Sequence, residues 1–344
     1  MKKHVNIPIF IPHLGCPNQC VFCNQRTISG VSDFYASSVK SEIDAALATV
    51  DPSQETEIAF FGGSFTGIDR ELMISLLEIA KGYISDGRVS SIRCSTRPDY
   101  INEEILDILE GYGVKTIELG LQSFDDKVLA LSKRGHLSSD EYNACRLITE
   151  RGFDLIGQMM IGLPGATLED EIKTAEFIVK SGAVGARIYP TVVFHDTELC
   201  EMAKCGSYTP LDVKDAVERT AKALEIFNSS GVDVIRIGLC ASENLTSEDK
   251  YYAGPNHPAL GELVESELYY NKIVSCLDNK NQYNGMILQI SVAQGCLSKA
   301  IGQKKYNKQR LMRDYGLADV KFKEDESLSG YEFKIKEERK RECT

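Results

Sequence analysis

Apolar runs of strand length alternate with helical periodicities through the first two-thirds of the chain. The runs are Val5–Ile11, Glu57–Phe61, Ser91–Ser95, Thr116–Leu121, Leu155–Ile161, Ala186–Val193 and Val232–Leu239. Between them apolar residues recur along one helical face, as in Leu72, Leu76, Leu77 and Ile79, and again in Ile101, Ile105, Ile108 and Leu109. Thr167 followed by Glu169, Asp170 and Glu171 predicts a helix N-terminus, where acids complement the macrodipole. Gly111, Gly113 and Gly152 fall where helices should stop. Strands alternating with helices predict βαβ units and a parallel sheet. Units at this density suit a complete or partial (β/α) barrel, with an open doubly wound sheet as the alternative. In both architectures function gathers at the C-terminal ends of the strands.

The rhythm breaks after about residue 240, where Gly254, Pro255 and Pro258 mark a turn-rich segment. A helix over Leu260–Leu277 and a strand over Met286–Val292 come next, followed by a basic helical stretch. Val320–Lys323 and Tyr331–Ile335, separated by Ser327 to Gly330, predict a closing β-hairpin. The expected organisation is a core barrel over residues 1–240 and a small α+β domain over 241–344.

Composition narrows the class. Hydrophobic residues make up 43% of the 344 and charged residues 26%, enough to bury a real core. No run reaches the roughly 20 apolar residues of a membrane-spanning helix. The first apolar run is broken by Pro8 and no small-residue cleavage site follows it, so a cytoplasmic protein is expected. The 11 cysteines are scattered, and in a reducing compartment they are thiols, metal ligands or redox groups. The net charge of −11 argues against broad nonspecific binding to nucleic acid. Against that background, Lys299, Lys304, Lys305, Lys308, Arg310, Arg313, Lys321 and Lys323 stand with only Asp314 and Asp319 between them. With Tyr306 they suit a phosphate-binding patch, although a solvated helix face is the commoner meaning of such a run. His257, in the turn-rich segment, reads as a turn histidine ahead of a catalytic one.

The first run leads into Gly15-Cys16-Pro17-Asn18-Gln19-Cys20-Val21-Phe22-Cys23, a C-x3-C-x2-C spacing. Three thiolates this close can hold one face of an iron–sulfur cubane and leave one iron without a protein ligand. Reactive metal centres keep such an open position and structural ones fill it. A structural zinc site, with His13 as the nearby fourth ligand, and three unrelated core cysteines remain as alternatives. Further motifs close later strands: Phe60-Phe61-Gly62-Gly63-Ser64, Arg93-Cys94-Ser95-Thr96-Arg97-Pro98-Asp99, Glu118-Leu119-Gly120-Leu121-Gln122-Ser123, Gln158-Met159-Met160-Ile161-Gly162-Leu163-Pro164-Gly165 and Ile188-Tyr189-Pro190. Val128 to His136, containing Arg134, continues the fourth.

The cysteine motif at the end of strand one, with the aromatic Phe22 before its last cysteine, resembles the radical S-adenosylmethionine (SAM) superfamily. Over residues 5–240 the strand-end motifs are similar to the core of the Elongator catalytic subunit family, and in part to anaerobic coproporphyrinogen oxidase. The resemblance implies a partial (β/α)6, TIM-like barrel. It also implies a [4Fe–4S] cluster on Cys16, Cys20 and Cys23, with SAM as the cosubstrate cleaved to a 5′-deoxyadenosyl radical.

It carries SAM contacts to Phe22, Gly62, Gly63, Ser95, Arg97, Gln122, Arg134, Gln158, Met160 and Tyr189. The bland reading of each stays open: a βα turn for the glycines, a surface salt bridge for Arg97, a satisfied core amide for Gln122, a rim aromatic for Tyr189. His136 reads as a loop histidine and Met159 as core filler. A reductant such as flavodoxin or ferredoxin is implied, and tRNA as a substrate. Acting on a small or porphyrin-like molecule is the alternative, and a non-catalytic metal-binding protein a further one. Two departures stand out. The Elongator subunit spaces its first two cysteines more widely, and the last hundred or so residues here show no acetyl-CoA-type loop. The remaining cysteines form no second cluster motif.

Overall fold

The computed structural model describes residues 4–11, 14–16, 20–24, 27, 33–239, 250–277 and 280–338. The chain forms two compact units, Met1–Ala216 with Ile226–Pro258, and Val217–Glu225 with Ala259–Thr344. In the first unit the apolar runs become β1 (His4–Phe10), β2 (Glu55–Phe61), β3 (Ser91–Thr96), β4 (Val114–Gln122), β5 (Asp154–Ile161), β6 (Gly185–Pro190) and, after a short β7 (Val193–Phe194), β8 (Asp233–Ile237). Every pairing in the main sheet is parallel, and the order is β1-β2-β3-β4-β5-β6-β8. A doubly wound sheet reverses its strand order partway. This one does not, so it is the wall of a partial barrel, with one strand beyond the six implied by the resemblance.

Strand alternation gives the wall two faces. Ile9, Phe60, Cys94, Ile117, Leu155, Met159 and Ile188 are sealed on one face. Helices α1 (Val39–Leu47), α2 (Arg70–Ser85), α3 (Glu103–Gly111), α4 (Asp126–Leu131), α5 (Ser138–Glu150) and α6 (Leu168–Lys180) connect the strands. Their buried stripes include Leu76, Leu77, Leu106, Leu109 and Ile178. Each such side chain contributes roughly 1.5–3 kcal/mol of burial. Helix α6 starts at the expected Thr167, and it does so with a capping box: Asp170 N donates to Thr167 Oγ1 at 3.3 Å, and Thr167 N donates back to Asp170 Oδ2 at 2.9 Å.

The opposite face is polar. Arg93 donates Nε and Nη2 to Glu57 at 3.0 and 2.9 Å and Nη1 to Glu118 at 2.9 Å. Arg187 Nε donates to Glu118 at 2.7 Å, and Ser91 and His4 complete the shell of Glu57. This network lies away from the C-terminal strand ends and fills the inner face with paired charge.

Two readings of the sequence need correcting. The run Ala186–Val193 is not one strand. It breaks after Pro190, and Val193–Phe194 pair antiparallel with β9 (Tyr251–Ala253). The predicted hairpin is also absent. The second unit contains α9 (Leu260–Ser275), β10 (Ile287–Val292), α10 (Leu297–Ile301), α11 (Tyr306–Tyr315), β11 (Asp319–Glu324) and β12 (Phe333–Glu338), after helices α7 (Glu198–Lys204) and α8 (Val213–Ser229). Its sheet order is β11-β10-β12, with β10 parallel to β11 and antiparallel to β12. Leu288, Ile290 and Val292 of β10 are fully buried among Tyr269, Ile273, Leu311 and Val320. The most apolar strand takes the centre, and the lysine-bearing strands are left at the edges.

The basic helical stretch is largely neutralised. Lys299 pairs with Glu265, Lys308 with Asp319, Arg310 with Glu267 and Arg313 with Asp314. Among the described residues no helix is long and apolar enough to cross a membrane.

Candidate active site

The cysteine segment leaves the C-terminal end of β1 and is held by its backbone. Ile11 N donates to Phe61 O at 2.7 Å, Ser64 N to Leu14 O at 3.2 Å, Val21 N to Ser132 O at 3.2 Å, and Leu199 N to Val21 O at 2.8 Å. Gly63 approaches Leu14 so closely that a Cβ would lie 2.1 Å from the Leu14 carbonyl oxygen. A Cβ on Gly15, at φ +73°, would lie 2.2 Å from Ser64 O. Only glycine lets the two backbones lie together. The first partner of the Gly-Gly segment is therefore the chain's own cysteine loop, a reason neither sequence reading contained.

Cys20 is buried, and Cys16 and Cys23 are partly so. Cys23 N donates to Cys20 O at 3.0 Å, which closes a turn between the last two cysteines. Phe22 packs with Val21, Val193, Leu199, Cys200 and Tyr208 and anchors the segment. Arg134 Nη1 donates to Cys20 Sγ at 3.3 Å, and its Nη2 donates to Gly120 O. Burial pushes the Cys16 thiol up, while Arg97 and Arg134 pull it the other way. Cationic neighbours favour thiolate, the form that binds metal.

Arg97 is buried, so its ion pair with Asp99 is not the surface salt bridge that stood as its bland reading. Its Nε and Nη2 donate to Asp99 at 2.9 and 3.0 Å. Nη2 also donates to Arg134 O and faces His136 Nδ1 at 3.4 Å. Nη1 is buried without a partner. Gln122 ends β4 at φ +74°, where the register with β5 shifts. A non-glycine residue held there costs about 1–3 kcal/mol. Its Oε1 is buried and unpartnered, so it is not the satisfied core amide the sequence allowed. An unspent donor and an unspent acceptor thus stand at the ends of neighbouring strands.

The register places Gly120, Gln158, Arg187 and Arg236 on one face across β4 to β8. Met160 and Tyr189 follow two residues later on that face, and Ser95 lies in register with Glu118. Gln158, Met160, Tyr189 and Ser95 are each part-exposed, whereas Met159 is sealed on the other side.

The expected loop histidine, His136, has a fully buried side chain. Its Nε2 lies 3.0 Å from Oε1 of the equally buried Glu141. Burial, then Arg134 and Arg97, lower its pKa to about 3. Burial likewise lifts Glu141 well above the usual carboxylate range. Nδ1 faces the Arg97 donor and accepts there, so Nε2 donates to Glu141. This buried pair backs Arg97.

Thr96 Oγ1 joins Ser64 Oγ at 2.9 Å and Thr66 Oγ1 at 2.6 Å, tying the Gly-Gly turn to the Arg97 segment. Sequence reasoning missed Thr66, Thr96, Asp99 and Glu141. Arg97 and Asp99 flanking Pro98 in a tight turn was a usable signal. Glu141 offered none, because a helical glutamate ordinarily faces solvent.

An iron–sulfur cubane with SAM fits this donor set: three thiols on one anchored segment, a guanidinium donating to one sulfur, and Arg97 Nη1 and Gln122 Oε1 unspent. Among the described residues no three His, Cys, Asp or Glu side chains close around a point at single-ion range. Thiolates of a cubane instead stand at separate corners. His13, the fourth zinc ligand considered, lies outside the described residues. Cys94 and Cys145 are core thiols pushed up to about 12, in both cases chiefly by burial.

Comparison with known proteins agrees with the fold. A radical SAM superfamily profile matches residues 10–178, and a radical SAM C-terminal domain profile matches residues 183–270. An uncharacterised protein of Methanocaldococcus jannaschii is 30% identical over 238 residues, 65% of this chain and 72% of that protein. The tRNA uridine(34) acetyltransferase of the same organism is 28% identical over 54% of this chain and 38% of its own length. The solved archaeal Elp3 of Methanocaldococcus infernus, carrying an N-terminal deletion, superposes at a TM-score of 0.63 with 22% identity, over 79% of this chain and 64% of that one. The chain belongs to the radical SAM superfamily and is an enzyme of that class. It spans well under half of the acetyltransferase's length.

Proposed function

We propose that the chain holds a [4Fe–4S] cluster on Cys16, Cys20 and Cys23, binds SAM beside it and acts on tRNA. The bound pair supplies reductive cleavage of the sulfonium and a carbon radical able to abstract hydrogen. The protein's share is positioning. Arg134 steadies Cys20, and Arg97, clamped by Asp99 and His136, would use its unspent Nη1 to hold the amino-acid end of SAM. Gln122 offers its amide on the same side. Gly62 and Gly63 hold the cysteine segment and leave backbone groups for SAM. Ser95, Gln158, Met160, Tyr189 and Phe22 are assigned to the adenosine side. A low-potential flavodoxin or ferredoxin is the proposed reductant. The observation that carries the reading is the unspent, buried Arg97 Nη1 and Gln122 Oε1 beside an arginine-held cysteine. The printed name of the uridine(34) acetyltransferase relative supports tRNA as the substrate class.

The test is anaerobic. The reconstituted chain is given dithionite and SAM, with and without tRNA, and 5′-deoxyadenosine and the tRNA nucleosides are measured by mass spectrometry. Formation of 5′-deoxyadenosine and a mass-shifted nucleoside are expected. Absence of the first overturns the radical chemistry. Its presence with unaltered nucleosides overturns only the substrate. Cys20→Ala should abolish cluster absorbance and SAM cleavage while the far-ultraviolet circular dichroism stays unchanged.

A further inference from the structure

One arginine on the inner face of the main sheet stands outside the paired network. The carboxylates of that network are filled. Glu57 is ringed by Ser91, His4 and Arg93. Glu118 accepts from Arg93 and from both prongs of Arg187, at 2.7 and 3.0 Å. Arg236 lies in register beside Arg187, on the end strand β8. Among the described residues no carboxylate pairs with Arg236. The one acid of β8, Asp233, is exposed at the start of the strand.

The register of β6 with β8 explains how Arg236 comes to stand there. Val234 stands beside Ala186, then the register shifts and Arg236 stands beside Arg187. In an unbroken pairing Ile235 would hold that position. A bulge re-aims the side chains that follow it. Here it turns a second arginine inward, although like charges on neighbouring strands repel. The charge reaches the interior: burial pushes the Tyr189 hydroxyl pKa up, while Arg187 and Arg236 draw it back. Arg236 is part-exposed, so it stays open to a ligand.

The row containing Arg236 runs toward the residues assigned to SAM. Gly120, Gln158, Arg187 and Arg236 are successive register partners. A Cβ on Gly120 would lie 3.2 Å from Gln122 Nε2 and 3.6 Å from Arg134 Nη2. Three strand spacings put Arg236 roughly 14 Å from Gly120 along the sheet. That span separates Arg236 from the proposed SAM site and leaves room for a substrate between them. Aromatic surface lines the same interior. Phe10 and Phe61 are part-exposed at the C-terminal ends of β1 and β2, with ring centroids 6.2 Å apart. The Arg187 guanidinium, reaching across from β6, lies 5.7 Å from the Phe61 ring centroid. A guanidinium for phosphate and ring faces for a base are the two halves of a nucleotide site.

We propose that Arg236 holds a phosphate of the RNA substrate, next to a base seated against the Phe10 and Phe61 rings. The choice of RNA rests on the tRNA reading above. The test titrates a fluorescent tRNA transcript with the full reconstituted chain across a potassium chloride series. Arg236→Gln should lower the slope of log affinity on log salt by about 0.7–0.9 and weaken binding about fivefold near 0.1 M salt, the scale of one phosphate contact. Arg236→Lys keeps the charge and should restore the slope. A synthetic anticodon stem-loop, the part of tRNA that holds nucleotide 34, locates the contact. Each loop phosphate is replaced in turn by a neutral methylphosphonate. One replacement should weaken the parent about fivefold and cost Arg236→Gln nothing further. SAM cleavage without RNA should be unchanged. The melting temperature should not fall, because removing the charge beside Arg187 relieves a repulsion and breaks no ion pair.

An Arg236→Gln variant that keeps the parent's slope and its response to every methylphosphonate overturns the contact while leaving tRNA as substrate. A drop of several degrees in melting temperature also overturns it, by making Arg236 a structural residue. A parent that binds no tRNA overturns both readings. The expected loss of binding with unmodified tRNA nucleosides upholds the contact and sinks the substrate reading.

Discussion

Gln122 carries two costs at once, a left-handed backbone at φ +74° and a buried carbonyl oxygen with no partner. Glycine adopts that conformation freely, so Gln122→Gly should stabilise the free protein by about 1 kcal/mol while weakening SAM binding. Thermal melting and 5′-deoxyadenosine yield check both. A lower melting point with full yield would mean that neither cost serves the site. Arg97 makes a different argument. Lysine cannot reproduce its two-pronged contact with Asp99 and still present Nη1. Arg97→Lys should lower SAM affinity about tenfold, the scale of one charge-assisted hydrogen bond, with iron content intact. Titrating SAM against the cluster's electron paramagnetic resonance signal reads the affinity. Loss of iron instead would assign Arg97 to the thiolates. Both residues were visible as motif members in the sequence. Their strain, burial and unspent atoms were not, because those depend on β5 and on the segment around His136.

Among the elements, strand identity followed from apolar runs, and the helix start at Thr167 from its cap residue and the acids after it; the box that Thr167 closes with Asp170 emerged in the structure. Partner choice did not follow. Val320–Lys323 and Tyr331–Ile335 have strand propensity, but β10 separates them because its residues are the most completely buried. The Gly-Gly turn was legible as a special backbone, whereas the neighbour requiring it was not. Gly63→Ala should push Leu14 away, since backbone yields less easily than a flexible side-chain tip. The expected result is loss of bound iron with the barrel's circular dichroism retained. Full iron occupancy would mean the two backbones separate at little cost.

At the scale of the whole first unit, stability and site draw on different layers of the wall. Arg93 bridges Glu57 and Glu118 inside the barrel, and removing one partner of a buried ion pair typically costs about 3–5 kcal/mol. Arg93→Met should lose that much at neutral pH by denaturant unfolding. Burial alone would raise the Glu57 pKa, but Ser91, Arg93 and His4 outweigh it and hold it below the ordinary value. Its contribution to stability is therefore complete above the unfolded glutamate pKa, about 4.3, and is lost as the pH falls through the lower folded value. The gap between the parent and Arg93→Met should narrow on acidification below that point. A gap independent of pH would remove the ionic account of the network.

Local chemistry is written in order along the chain. Cysteine spacing, glycine pairs, caps and apolar periods need only neighbours, so the sequence alone determined the βα alternation with its parallel sheet, the strand-end location of the motifs and the thiol triplet, while the strand order that makes the sheet a barrel wall came from the tertiary structure. Tertiary structure decided which groups are buried together, because burial and pairing join residues far apart in sequence. It set Arg97 against His136 and Glu141, matched the helical cations to acids, and placed Arg236 beside Arg187 through a register that no single strand contains.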